Sequence, residues 1–277
     1  MLAELIGERH SFCPSGIEAA RDYLRRELGK MGCAVVEQAY STTRRKAVNL
    51  EVVVHGSRPR AAALVIGAHY DSAFGTPGAD DNASAVAILL EMVRSLSKAR
   101  FRRDVRFVFY DCEEAPHYGT HEMGSQQHAA MLCARGVRLL GMVCLESVGY
   151  FPHRPRLDPR VPWWIRLIMR VGGGRNVAIV SDPASMGFGL QFVWAFLRSG
   201  HFPCVPAALP RRWLPEIGLS DHRSYWDEGY PALMVTDTAF MRNPNYHQPT
   251  DRLHTLDLER MAALCETLIG SVTRLAR

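Results

Sequence analysis

The sequence predicts a three-layer αβα sandwich around a mixed, mostly parallel central sheet. Three observations carry this expectation. Apolar runs of strand length alternate with segments of helical periodicity along most of the chain. The run Ala61 to Ala68 is continuously apolar, as a strand covered on both faces must be. Acidic and histidine residues fall directly after such runs, where the carboxyl ends of parallel strands form a rim.

The elements follow in order. Ile17, Ala20, Leu24 and Leu28 recur at helical spacing behind Ser15, which can cap the helix, and Gly29 or Gly32 supplies its stop. Two β-rich runs, Cys33 to Tyr40 and Val48 to His55, read as added antiparallel edge strands. After Ala61 to Ala68 come a helix over Ala83 to Leu96, a strand over Val105 to Tyr110, a helix over Gln126 to Arg135 and a strand over Leu139 to Leu145. A helix over Trp163 to Val171, a strand over Val177 to Val180, a helix over Leu190 to Arg198, a strand over Ala232 to Thr236 and a helix over Leu258 to Leu275 complete the series. Parallel neighbours need crossover helices, which this alternation provides. Phe151 to Pro162 and Pro203 to Pro215 read as long surface loops. With no repeat and no Pro/Gly-rich linker, a single domain over residues 1 to 277 is expected.

Composition narrows the function classes. Lys plus Arg number 33 against 28 for Asp plus Glu, a net charge of +5 without long basic runs, so no nucleic-acid partner is expected. Seven cysteines without a CxxC pair fit neither a disulfide scaffold nor a zinc ribbon. No stretch is long and apolar enough for a membrane span. In the segment 161 to 171, Trp163, Trp164, Leu167, Ile168 and Val171 share helical spacing, read as a core-facing stripe in preference to a membrane or partner surface. Exposed tryptophans would reverse that order. The first residues show no secretory signal, so a cytoplasmic location is the default, with export expected if a leader preceded them.

The candidate chemistry lies at strand ends. His69 and Asp71 close the run Ala61 to Ala68; Glu113 and Glu114 follow Val105 to Tyr110; Glu146 follows Leu139 to Leu145. Asp80 sits in the turn entering the next helix, and His247 lies in the loop after Ala232 to Thr236. Imidazole and carboxylate suit zinc and other divalent ions, and two ions side by side need a bridging carboxylate. Neither a phosphate cradle nor a GxSxG nucleophile elbow is present.

Five segments carry a family resemblance: GAHYDS (67 to 72), PGADDNAS (77 to 84), DCEEAP (111 to 116), CLESVGY (144 to 150) and SDHRSYWDEGYPALMVTDT…YHQPTDRLHTLD (220 to 257). In this order they resemble the zinc aminopeptidases of peptidase family M28, from the N-terminal helix to the last. The resemblance implies the zinc-dependent exopeptidase type of fold and a peptide substrate. It also implies two Zn2+ ions, one held by His69, Asp80 and Glu146 and the other by Asp80, Glu114 and His247, with Asp80 as the bridge. Glu113 would act as the base, Asp71 would orient the first histidine, and the peptide between Asp80 and Asp81 is often cis in relatives. Many relatives carry Asp where this chain has Glu146, so occupancy by two ions or by one stays open. The segment Ala115 to Ser125, with His117 and His121, departs from the glycine-rich pattern common after the paired glutamates.

Arg242 and Tyr246, close before His247, are substrate-contact candidates, with pinning of their loop as the equal alternative. His117, His121, His128 and His222 read as structural or pocket residues. Two other functions stay in view: a single-zinc glutaminyl cyclase on the same fold, and a non-catalytic binding protein built on a peptidase domain. The latter would show a lost ligand or base, and none is lost. Oligomeric state and the preferred terminal residue are not legible.

Overall fold

The structure is a computed structural model describing all residues but 155, 156, 160, 162, 171 and 172; the side chains of 164 and 168–170 are also outside the description. Among the described residues, eight strands form one sheet: β1 (Val35–Ser41), β2 (Lys46–Val54), β3 (Ala63–His69), β4 (Val105–Tyr110), β5 (Leu139–Glu146), β6 (Val177–Ser181), β7 (Cys204–Ala208) and β8 (Ala232–Thr236). Their order is β1-β2-β4-β3-β5-β8-β6-β7. The centre, β4-β3-β5-β8, is parallel. At one side β1 and β2 join antiparallel, as the early β runs predict. At the other, β6 turns against β8 and runs parallel to β7. The mixed, mostly parallel sheet of the sequence reading is what the chain builds.

Strand side chains alternate between two faces, and each face has its own helices. Leu64, Ile66, Phe107, Phe109, Val143 and Leu145 point to a core closed by α1 (Pro14–Lys30), α2 (Ala85–Leu96), α5 (Met186–Leu197) and α7 (Leu258–Ala276). Val65, Val108, Tyr110, Met142 and Met234 point to a second core closed by α3 (Gly124–Ala134), α4 (Trp163–Arg170) and α6 (His222–Asp227). The first helix starts with Pro14 just inside it, a position where the missing N–H costs nothing, and Cys13 rather than Ser15 precedes it. In α7, Asp257 caps the first turn by accepting from the Arg260 N–H.

Two expectations are corrected. Part of the expected loop Pro203 to Pro215 is β7, an edge strand beside β6 whose Pro206 breaks the strand pattern in sequence. In α4, Trp163 is 72% exposed and Leu167 61% exposed, whereas Ile165 is buried. Positions 163 and 167 lie one turn apart on one face and 165 lies across the helix, so Trp163 and Leu167, read as core-facing, point outward. The side chains of Trp164 and Ile168, and the whole of Val171, lie outside the described residues.

Candidate metal centre

The parallel centre of the sheet aims its carboxyl ends at one rim. His69 is the last residue of β3 and Glu146 the last of β5; Glu113 and Glu114 follow β4, and His247 lies in the loop beyond β8. A turn entering α2 brings in Asp81. Cys112, Ser147, Thr238, Ala239 and His247 all take positive φ, although none is glycine, and they sit on the segments leaving β4, β5 and β8. Backbone held in so costly a region marks segments shaped by more than packing.

Two sets of ligand atoms meet there. His69, Asp81 and Glu146 form one, Asp81, Glu114 and His247 the other, and within each set the atoms lie within 4.8 Å of one another. His69 Nε2 is 3.3 Å from Asp81 Oδ1 and 3.3 Å from Glu146 Oε2. His247 Nε2 is 2.9 Å from Asp81 Oδ2 and 3.4 Å from Glu114 Oε1. Asp81 therefore offers one oxygen to each set.

This corrects the expectation placed on Asp80. The Asp80 carboxylate turns into the protein, accepting from the Gly149 N–H at 2.8 Å and from the Asn243 amide at 2.7 Å. Burial and the neighbouring Asp237 and Asp251 carboxylates push its pKa well above the ordinary range. A group so engaged has no oxygen to share between two ions. The cis peptide likewise falls one residue later than expected, between Asp81 and Asn82. Asp251 holds this turn by accepting the backbone N–H of Asp80 at 2.9 Å and of Asp81 at 3.1 Å.

The cradle suits a cation. His69 Nε2, Asp81 Oδ1 and Glu114 Oε1 are enclosed without a hydrogen-bond partner among the described residues. Such atoms cost about 1–3 kcal/mol each when left unsatisfied, and a divalent ion takes imidazole and carboxylate together. Burial works against protonating His69, but Glu146, Glu113, Asp71 and Asp81 outweigh it and raise its pKa well above the usual value. Burial likewise opposes protonation of His247, yet Asp81 and Glu114 bring it to about 10. Glu114 is pushed up to about 7, by burial first and the Asp81 charge second. The histidines thus stand in a field that favours positive charge, the field an ion would occupy.

The surrounding groups orient the cradle. Asp71 Oδ1 lies 3.3 Å from His69 Nδ1, and its two oxygens accept the backbone N–H of Glu113 and Glu114 at 3.2 and 3.1 Å. Glu146 accepts from the Ser220 hydroxyl at 2.6 Å and from Ser147 at 3.2 Å. Glu113 Oε2 sits 3.9 Å from His69 Nε2 and belongs to neither set. Burial raises the Glu113 pKa well above the carboxylate range; Glu114, Glu146 and Asp221 add to this and His69 offsets part of it.

The remaining candidates divide. Tyr246 stacks on His247, ring centroids 3.9 Å apart, and burial with the nearby Asp81, Glu114, Glu146 and Glu113 charges raises its pKa. Arg242 is spent on the fold, donating to the carbonyls of Gly174 and Asn176 and to the Asn176 side chain. His117 lies between Ser11 and Glu122, His128 between Tyr225 and Glu51, and His222 donates to Ile217 O. None of these three, nor His121, belongs to either set. Sequence reasoning missed Asp81, Ser220 and Asp251 as site-building residues. All three lie inside the quoted motifs, but spacing alone gives them no role.

Sheet and cradle together define a class: an α/β protein whose parallel strands carry a buried histidine and carboxylate cradle at their carboxyl rim. Residues 49–161 match the family model described as "Peptidase family M28", and the chain belongs to that family. It is 38% identical over 218 residues to "Uncharacterized protein YfbL" of Escherichia coli strain K12, covering 74% of this chain and 65% of that protein. To "Leucine aminopeptidase 1" of Arthroderma otae it is 26% identical over 228 residues, 77% of this chain and 54% of the relative. The chain thus spans about two thirds of the first of these curated relatives and about half of the second. The fold is similar to that of the Legionella pneumophila LapA aminopeptidase, with a TM-score of 0.72 at 22% identity over 99% of this chain and 68% of that one. It is also similar to Tannerella forsythia glutaminyl cyclase, with a TM-score of 0.68 at 20% identity over 97% of this chain and 93% of that one.

Proposed function

We propose that the protein is a two-zinc aminopeptidase that hydrolyses the N-terminal residue from peptides. The observation that carries this reading is Asp81, whose two oxygens face two separate sets of histidine and carboxylate ligand atoms. His69, Asp81 and Glu146 would hold one ion, and Asp81, Glu114 and His247 the other. When bound, the ions supply electrophilic polarisation of the scissile carbonyl and a water acidic enough to ionise near neutral pH. Glu113, beside the cradle but outside both sets, takes the proton of the attacking water and delivers it to the departing amine. Burial raises its pKa above the carboxylate range, which makes it a stronger base for taking up the proton. Asp71 fixes His69 through its ring and Glu113 through its backbone, so ligand and base share one support. The names of the fungal relatives support the aminopeptidase reading.

The test is zinc content together with turnover of aminoacyl chromophores. Glu113→Gln should retain two zinc ions per chain and lose turnover by about 10²–10⁴-fold. Equal activity in that variant sinks the mechanism. A second reading, cyclisation of N-terminal glutamine on a single zinc, has one observation in its favour: this chain spans 93% of the Tannerella forsythia glutaminyl cyclase. One tightly held zinc, with conversion of a glutaminyl peptide to its cyclised product, would select it.

A further inference from the structure

Beside the cradle lies a cleft of about 940 Å³, its mouth included, and two residues of the centre, Glu146 and Tyr246, are part of its wall. Its remaining wall is largely aliphatic, with Val180, Val205, Ala207, Leu209, Leu214 and Met234 contributed by β6, β7, β8 and the segment after β7. Glu216, on the short helical turn Pro215–Gly218, also lines it. Its Oε2 is enclosed and has no hydrogen-bond partner among the described residues. An enclosed carboxylate oxygen without a donor in an apolar wall is costly, and natural proteins seldom keep one without a use.

The other charges in the wall have partners among the described residues, although Arg242 Nε has no hydrogen bond of its own. Arg242 donates to Gly174 and Asn176, and the Asp237 and Asp80 carboxylates lie in its field. Glu146 belongs to the cradle and accepts from Ser220 and Ser147. Arg211, on the neighbouring segment, pairs with Asp227 instead. Among the described residues, Glu216 is the acidic group of this cleft without a counter-charge.

Resting on the aminopeptidase reading, we propose that this cleft receives the side chain of the substrate's N-terminal residue and that Glu216 selects a long aliphatic chain ending in a cation, that of lysine or arginine. The methylene stem lies along the valine, leucine and methionine wall, and the ammonium or guanidinium donates to Glu216. Because Glu146 and Tyr246 belong both to the centre and to the cleft, a side chain entering here leaves its own carbonyl at the cradle.

The experiment uses the zinc-loaded full chain and the aminoacyl coumarin amides of lysine, arginine, leucine and norleucine, the last having the lysine stem without its charge. Lysine should exceed norleucine in kcat/KM by on the order of 10-fold or more, and Glu216→Gln should cut that ratio by about 10–100-fold, as expected for a charge-assisted hydrogen bond. The same chain is titrated with lysine amide and norleucine amide while its Tm is followed. Lysine amide should stabilise the wild type more than norleucine amide does, and Glu216→Gln should erase the difference. A lysine to norleucine ratio at or below one in the wild type overturns the inference whether or not the variant folds. So does a preference for lysine that Glu216→Gln leaves intact. If no aminoacyl amide is turned over but the Glu216-dependent stabilisation by lysine amide is seen, the aminopeptidase reading fails and the cation site stands.

Discussion

Two buried polar regions lie back to back in this protein. The rim that faces the cleft holds His69, Asp81 and Glu114, with ligand atoms that have no partner. Behind it, the side chain of Arg9 is as thoroughly buried, yet its guanidinium donates to the carbonyls of Gly7, Tyr70, Pro77 and Gly78. Asp80 and Asp81, adjacent in the chain, fall on opposite sides of this division. One aspartate is saturated by Gly149 and Asn243, and the other presents its oxygens to two histidines. Saturated polar groups hold a shape; unsaturated ones, enclosed at comparable cost, wait for something that is not part of the chain.

The largest expected effect comes from exchanging charge on the two aspartates in turn. Asp81→Asn should lower zinc affinity by more than about 100-fold, beyond the roughly 10–100-fold typical of groups that only support a ligand. Asp80→Asn should keep the wild-type zinc stoichiometry while lowering the Tm. Metal analysis after dialysis, beside a thermal scan, reads both. If Asp80→Asn loses zinc and Asp81→Asn keeps it, the division between the two regions collapses.

Next in size is Arg9→Met. It removes the donor from several enclosed carbonyls and should destabilise by about 3 kcal/mol or more, seen as a lower urea midpoint. Zinc stoichiometry of the folded fraction should be unchanged, because Arg9 donates to the backbone alone.

Smaller still is a pH effect that sets His222 against His69. Both are buried histidines with an unpartnered ring nitrogen. Around His69 the carboxylates outweigh burial and favour the charged ring; around His222 burial dominates and its pKa falls to about 4 from 6.5. Below pH 6.5 the unfolded chain protonates this histidine while the folded chain resists until about pH 4. The stability it contributes is therefore complete above pH 6.5 and is lost as pH falls through that window, at up to about 1.4 kcal/mol per pH unit. The gap in urea midpoint between wild type and His222→Gln should narrow from pH 7.5 to pH 4.5. A gap that widens instead would mean the ring is charged in the fold.

Much of this was legible in the chain itself. The continuous apolar run ending at His69 declares a strand covered on both sides, and acidic residues placed right after such runs declare a rim. What periodicity could not resolve is direction inside irregular backbone. In the turn Ala79 to Ser84 neither aspartate has a helical or strand neighbour to fix which way it points, so Asp80 and Asp81 are equivalent until Asp251 and Gly149 are in place. The same limit explains α4. Its pattern is amphipathic, but only the position of the sheet says which side is inward, and that side carries Ile165. Glu216 was invisible for a different reason: a lone glutamate in a proline-flanked segment reads as surface until β7 beside it is recognised as part of the sheet.

The placement of β8 has a consequence for how the molecule comes into being. This strand is late in the chain, yet it lies between β5 and β6, and within the sheet those two are joined only through it. While a ribosome is still short of residue 232, β5 keeps a bare edge and the β6-β7 pair has no dock, so the nascent chain holds two unjoined pieces of sheet. His247 and Asp251 emerge later again. On the two-ion reading proposed above, the set that includes His247 could take an ion only after synthesis has passed the last join in the sheet, and a prematurely released fragment would carry His69 and Glu146 without the loop that completes the cradle.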